Sequence, residues 1–141
     1  MNILFVHGYS ETSLGAYFDF PNRLQQRAKT AGGAPLVGNV VLSAFNSLDD
    51  GVTIDDLADA LEQRVSALGP TWTDGPWAVI CHSTGALIAR RWILNRLGRA
   101  PIPTHLITLS GANHGSTLAE MGKSVLGYVQ KLLLKGSPTV G

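Results

Sequence analysis

Short apolar runs alternate along this chain with longer stretches that repeat at helical spacing. The apolar runs cover residues 3–6, 40–45, 77–81 and 106–109, and each is nearly continuous in apolar side chains. Strands of a parallel sheet have this pattern because helices cover both faces of the sheet, and strands that alternate with helices form βαβ units. We therefore predict a three-layer α/β/α fold with a mostly parallel sheet of about four strands.

Three predicted helices separate these strands. The first begins near Pro21, a residue suited to a first helical turn, and ends at Gly32. The second follows Thr53 and Asp56, whose spacing is that of a capping box. The third covers residues 84–97 and stops before a glycine. Strand and helix thus succeed one another three times, as βαβ topology requires.

Composition narrows the class of protein. The chain has 141 residues, 45% hydrophobic and 15% charged, which predicts one globular domain over residues 1–141 and excludes intrinsic disorder. The formal charge is +1 and no run of basic residues occurs, so we expect no nucleic-acid partner. Cys81 is the only cysteine, which rules out an internal disulfide and argues against a cysteine-built zinc site.

The N-terminus lacks the features of a secretory signal. It has no basic flank, no long apolar region and no small-residue cleavage site. Apolar runs elsewhere fall far short of the roughly 20 residues that cross a bilayer. We therefore expect a cytoplasmic protein with no transmembrane segment.

The third predicted strand passes into a helix through Cys81-His82-Ser83-Thr84-Gly85. A serine at such a strand-to-helix turn is held in a strained backbone with its Oγ exposed, and small residues two before and two after it let strand and helix approach closely. Cysteine stands here where glycine is commoner, yet it keeps a small side chain. Ser83 is thus a candidate nucleophile. The alternative is that Ser83 only caps the helix, but the strand-turn-helix context favours catalysis.

A second motif follows the first strand, which runs directly into His7-Gly8-Tyr9-Ser10. A strand ending in His-Gly, a later His-Ser-x-Gly turn and a strand ending in a Gly-Ala-Asn-His-Gly-Ser loop together resemble the α/β-hydrolase superfamily, and within it lipases and carboxylesterases. The resemblance implies ester hydrolysis through an acyl-enzyme on Ser83, with a small-molecule ester or lipid as substrate and no cofactor.

The resemblance also assigns roles around the serine. Backbone N–H groups of Tyr9 and Thr84 would form the oxyanion hole, and His7 would order its turn rather than relay protons. Sheet topology supports this placement independently. If the strands lie in the order 2-1-3-4, the first and third are neighbours at a switch point, where α/β sheets bind ligands. Both motifs leave the carboxyl ends of those two strands.

A catalytic acid and histidine are not evident in this chain. In α/β-hydrolases both follow the serine on later loops, and only His105 and His114 follow Ser83. His105 opens the fourth strand at the wrong end of the sheet, and we interpret His114 as a loop-ordering residue. We therefore expect residues 1–141 to be the N-terminal half of a longer, partial α/β-hydrolase domain. Its fourth strand would be an open edge that favours self-association.

Other classes of protein remain open at this point. A flavodoxin-like or nucleotide-binding module shares the strand order, but neither phosphate-binding glycine pattern follows the first strand. A degenerate hydrolase fold kept for protein interaction is a second alternative. A thioesterase or acyltransferase of the same superfamily is a third. The stretch at residues 124–134 fits a sheet-covering helix as well as a lid.

Overall fold

The computed structural model describes residues 1–8, 17–33, 37–40 and 51–111. Tyr9, His114 and the helix predicted at residues 124–134 lie outside these described residues. The described elements, in chain order, are β1 (Asn2–Val6), α1 (Phe20–Thr30), β2 (Val37–Val40), α2 (Ile54–Ala67), β3 (Trp77–His82), α3 (Gly85–Arg96) and β4 (His105–Leu109), with a short 3₁₀ turn (Pro70–Thr73) between α2 and β3.

The four described strands form one parallel sheet in the order β2-β1-β3-β4. This order and the three-layer α/β arrangement confirm the predicted fold class. β1 and β3 pair from Asn2 with Trp77 to Val6 with Cys81. Because both strands run in the same direction, their carboxyl ends lie side by side, as the switch-point argument requires.

The second strand begins earlier than we predicted. Its described residues are Val37–Val40, whereas the apolar run led us to residues 40–45; residues 41–45 lie outside the described part. Gly38 pairs with Leu4 in the middle of β1, and a Cβ at Gly38 would collide with the Trp72 indole. The packing of Trp72 thus requires a glycine inside the strand, where propensity argues against one.

The helices begin and end close to the predicted residues. Thr53 caps α2, and the full capping box with Asp56 is present: each residue's side chain accepts a hydrogen bond from the other's backbone N–H. Pro21 stands in the first turn of α1. Thr84 and Leu97 flank α3, in agreement with the boundaries predicted from the sequence.

Two apolar clusters, one on each face of the sheet, form the core. The larger one joins the sheet to α2 and α3, and three indoles stack edge to face within it, Trp72 on Trp77 and Trp77 on Trp92. On the other face, Leu24 of α1 packs against a smaller cluster containing Ile3, Phe5, Tyr17 and Ile80. β1 and β3 are therefore buried on both faces, which gives the site at their ends a rigid base.

β4 is the outer strand on the β3 side and remains largely exposed. Leu106, Ile107 and Leu109 keep much of their side chains in solvent. The predicted open edge is therefore present among the described strands, whereas self-association through it stays a prediction.

Candidate active site

Ser83 occupies the turn between β3 and α3 in the left-handed backbone region, with φ of 53°. A serine in that region costs of order 1–3 kcal/mol, and such strain persists only where the surrounding structure imposes it. β3 ends at His82 and α3 begins at Gly85, so the turn has two residues. This is the geometry that the sequence predicts for a nucleophilic serine at a strand-to-helix turn. We refer to the turn at residues 82–85 as the elbow.

Two glycines make the elbow possible because neither position has room for a side chain. A Cβ on Gly85 would lie 2.7 Å from the carbonyl oxygen of His7 and 2.8 Å from that of Val6. A Cβ on Gly8 would lie 2.9 Å from Cβ of Ser83 and 3.0 Å from the carbonyl oxygen of His82. The His-Gly turn and the serine turn are thus in direct contact, as the two sequence motifs predict.

The backbone of Ser83 is anchored on both sides. Its N–H donates to the carbonyl of Leu109, the last residue of β4, at 3.1 Å, and its carbonyl accepts from the N–H of Ala86 at 3.1 Å. Ser110, which follows Leu109, is also left-handed, with φ of 48°. The ends of β1, β3 and β4 therefore meet around the serine.

Thr84, one of the two predicted oxyanion donors, directly follows Ser83 at the start of α3. It precedes the first residue of α3, and its side chain makes no capping hydrogen bond. Within the described ranges, its amide N–H has no acceptor. N–H groups at a helix N-terminus stabilise negative charge, so this amide is free to serve the predicted role. Tyr9, the other predicted donor, lies outside the described residues.

Two histidines flank the serine turn. His7 is buried, and its Nδ1 lies 3.0 Å from the carbonyl oxygen of Gly8, which agrees with a role in ordering the turn. Nδ1 of His82 is buried, and no hydrogen-bond partner for it occurs in the described part of the chain. His105 opens β4 and pairs with Ala78 near the start of β3, at the amino ends of the strands, whereas Ser83 follows their carboxyl ends.

Cys81 packs beneath the elbow and does not act as a rival nucleophile. It is fully buried, and its Sγ lies 3.5 Å from the carbonyl oxygen of Ile107. Burial raises the pKa of the thiol to about 11, against a smaller opposite effect of Arg90. A thiol with that pKa stays protonated near neutral pH, and the buried Cys81 side chain packs in the core below Ser83.

Tyr17 belongs to the site, although no sequence motif pointed to it. Its hydroxyl donates to the carbonyl of Val6 at 2.7 Å, and the carbonyl oxygen of Ile80 lies 3.3 Å away. Burial holds the pKa of the phenol well above its usual range, and nearby Cys81 adds to this shift. Its ring packs edge-on to that of His82, with centroids 6.3 Å apart. Tyr17 therefore ties together the two strands that carry the site.

The described residues include no group of three or more His, Cys, Asp or Glu side chains that could hold a metal ion. A cavity of about 270 Å³ lies at the far end of α3, where its lining includes Glu62, Trp92 and Arg96. Among the described helices, none is both long and apolar enough to cross a membrane.

The fold and the elbow together define a partial α/β-hydrolase-like fold. Comparison with solved structures gives phospholipase PlaB from Legionella pneumophila, which is 38% identical with a TM-score of 0.71; the match covers 90% of this chain and 28% of that one. A second structure of PlaB, in complex with thio-NAD, matches at 37% identity with a TM-score of 0.69, over 89% of this chain and 28% of that one. No family model and no curated protein matches. The chain thus resembles a phospholipase over most of its own length but spans only about a quarter of that protein.

Proposed function

We propose that this chain carries the nucleophile segment of a serine hydrolase that cleaves carboxylic esters of lipids. The observation that carries the proposal is the left-handed Ser83 at the end of β3, in contact with the His-Gly turn at the end of β1. A strained serine between two glycines that admit no side chain has no evident structural purpose, whereas an exposed nucleophile needs that geometry. The similarity to a phospholipase over 90% of the chain supports a lipid ester as the substrate class.

The reaction follows from the groups at the elbow. Oγ of Ser83 attacks the acyl carbonyl carbon while a base takes its proton, and the carbonyl oxygen becomes an oxyanion. The N–H groups of Thr84 and Tyr9 would donate to that oxyanion. The C–O bond to the alcohol then breaks, and the alcohol leaves with the proton. Water attacks the acyl-serine in the second half-reaction, which releases the fatty acid and restores the hydroxyl.

The general base and the acid that orients it are not among the described residues. No hydrogen bond links the Ser83 hydroxyl to a histidine ring in the described ranges. His105 lies at the amino end of β4, whereas Ser83 follows the carboxyl end of β3. We propose that both groups come from a part of the protein outside residues 1–141, as the serine-acid-histidine order of the superfamily implies. Residues 1–141 alone should then turn over esters barely above background.

Hydrolysis of a defined phospholipid tests this function in the natural polypeptide that contains residues 1–141. Release of fatty acid should fall by roughly a thousandfold or more in Ser83→Ala. Ser66→Ala, on the exposed surface of α2, serves as the matched control and should keep wild-type turnover. Undiminished release by Ser83→Ala would remove the serine from the mechanism. A wild-type protein that binds the lipid without cleaving it would instead identify a degenerate hydrolase fold.

A further inference from the structure

Phe18 combines backbone strain with an exposed aromatic ring. Its φ is 49°, in the left-handed region that bulky residues avoid, and 90% of the residue is exposed to solvent. Burial of the ring therefore does not offset the strain of the backbone. A strained residue that gains nothing from packing is a reason to look for a function.

The position of Phe18 places it at the rim of the candidate site. It directly follows Tyr17, whose hydroxyl bonds the carboxyl end of β1 and whose ring contacts His82, the neighbour of Ser83. Phe18 also lies two residues before α1, which leads away from that edge of the sheet. Phe18 therefore belongs to the short segment that joins the carboxyl end of β1, through Tyr17, to the start of α1.

The helix that follows is basic and lies at the surface. None of the residues of α1 is fully buried, and it carries Arg23, Arg27 and Lys29 but no acidic residue. Asp19, just before the helix, pairs with Arg23. No described carboxylate lies within ion-pair distance of Arg27 or Lys29. The exposed sides of α1 thus present positive charge to solvent, a few residues along the chain from the exposed ring.

We propose that Phe18 and the basic residues Arg23, Arg27 and Lys29 form a lipid-docking surface for anionic phospholipid bilayers. This inference rests on the proposed function, because it places the substrate surface beside Ser83. An aromatic ring that enters the headgroup region and basic side chains that meet anionic headgroups are the two components of interfacial binding. A second copy of this chain fits the surface less well, since it would bring the same positive charges against it.

Binding of vesicles tests the surface without requiring turnover. All variants carry Ser83→Ala in the natural polypeptide, and flotation measures their partition onto vesicles of phosphatidylcholine with or without phosphatidylglycerol. Phe18→Asn should lower partition onto anionic vesicles by roughly tenfold or more, because the variant loses the transfer of one aromatic ring from water into the headgroup region. Asn suits a left-handed backbone, so the fold should persist, and circular dichroism checks this. Phe18→Trp should retain binding.

Two matched controls distinguish binding through this surface from nonspecific hydrophobic adsorption and from an effect of net charge. Leu94 is 59% exposed on α3, so Leu94→Gln removes a comparable apolar side chain from another surface and should leave binding unchanged. The pair Arg27→Gln and Lys29→Gln should weaken binding to anionic vesicles by roughly tenfold or more and leave the weaker binding to neutral vesicles unaltered. Arg64→Gln on α2 is the control for charge.

Three outcomes would overturn the docking surface. In the first, the Ser83→Ala protein does not partition onto anionic vesicles. In the second, Phe18→Asn and Leu94→Gln lower vesicle binding equally. In the third, Phe18→Asn binds as well as its parent. If Phe18→Asn lowers the mass in solution while vesicle binding persists, the ring belongs to a contact between copies. Failure of the proposed function appears separately, as Ser83-independent hydrolysis.

Discussion

Gly8 and Ser83 approach so closely that a Cβ on the glycine would lie 2.9 Å from Cβ of the serine. These residues are 75 positions apart in the numbering and lie at the ends of two neighbouring parallel strands, β1 and β3. The turn after β1 and the turn after β3 therefore form one site, in which the position of each depends on the other.

Gly8→Ala should damage catalysis more than it damages the fold. The added methyl group meets the backbone carbonyl of His82 as well as Ser83, so one of the two turns must shift. A displacement of this kind costs roughly tenfold to a hundredfold in kcat/KM and about 1–3 kcal/mol in the free energy of unfolding. Enzyme assays and thermal unfolding measure the two effects.

Gly33→Ala is the control for this substitution. A Cβ at Gly33 would make only an ordinary contact, 3.6 Å from the carbonyl oxygen of Ala28. Wild-type activity is expected there. Wild-type activity in Gly8→Ala as well would mean that the contact between the two turns has no catalytic importance.

Two inactive variants should reveal the backbone strain at Ser83, because glycine relieves that strain and alanine does not. Glycine adopts the left-handed region without the steric cost that alanine keeps. After the greater chain entropy of unfolded glycine is subtracted, Ser83→Gly should have a free energy of unfolding about 0.5–1 kcal/mol above that of Ser83→Ala. Chemical denaturation measures the difference. Ser66→Gly, inside α2, should instead be less stable than Ser66→Ala. A Ser83→Gly variant that is less stable than Ser83→Ala would contradict the strain at Ser83.

Thr84→Ala should keep substantial turnover, because the proposed oxyanion donor is the backbone N–H and the Thr84 side chain makes no capping bond. Steady-state kinetics on a short-chain ester compares it with Ser83→Ala, which should be inactive. Loss of a true oxyanion donor costs roughly 10²–10³ in kcat. A loss of that size in Thr84→Ala would assign the side chain a direct part in catalysis.

The ion pair between Glu62 and Arg96 should make stability depend on acid pH. Burial alone would raise the pKa of Glu62, but hydrogen bonds from Arg96 and Trp92 and the charge of Arg96 outweigh it, so the pKa lies below its usual range. The stabilisation is therefore complete above the pKa of an unfolded Glu, about 4.3, and is lost as the pH falls through the lower folded value.

Glu62→Gln leaves the nearly buried Arg96 without its counter-charge. It should lower the free energy of unfolding at neutral pH by about 1–3 kcal/mol, less than a fully buried pair would lose, because the Glu62 side chain is 41% exposed. Glu62→Gln should also reduce the loss in the free energy of unfolding that the wild-type protein shows as the pH falls into the acid range. A smaller dependence should remain from Asp56, whose pKa is lowered by its hydrogen bonds with Thr53.

The sequence predicted those parts of the molecule that depend on local pattern. The capping box at Thr53, the elbow at Ser83 and the adjacency of β1 and β3 follow from residue types, spacing and sheet topology, and the structure agrees with each. The start of β2 was predicted too late because the packing of Trp72 requires Gly38 inside the strand, and residue propensity does not contain that contact.

Two features depend on tertiary contacts and escaped sequence reasoning for that reason. The Tyr17 hydroxyl reaches carbonyl groups on two strands, and Arg96 pairs with a glutamate of another helix. A third feature, the left-handed backbone of the exposed Phe18, has no counterpart in its residue type. None of these residues stands in a motif. Tyr17 and Phe18 come just before α1, where no hydrophobic period signals their roles.

Covalent labelling of the natural polypeptide by a fluorophosphonate tests the central claim most directly. The probe should form one adduct, located on Ser83 by peptide mass spectrometry. Prior addition of a phospholipid substrate should slow the labelling, and Ser83→Ala should abolish it. An adduct on another residue with Ser83 unmodified, in a protein whose lipid hydrolysis survives Ser83→Ala, would contradict the assignment of Ser83 as the nucleophile.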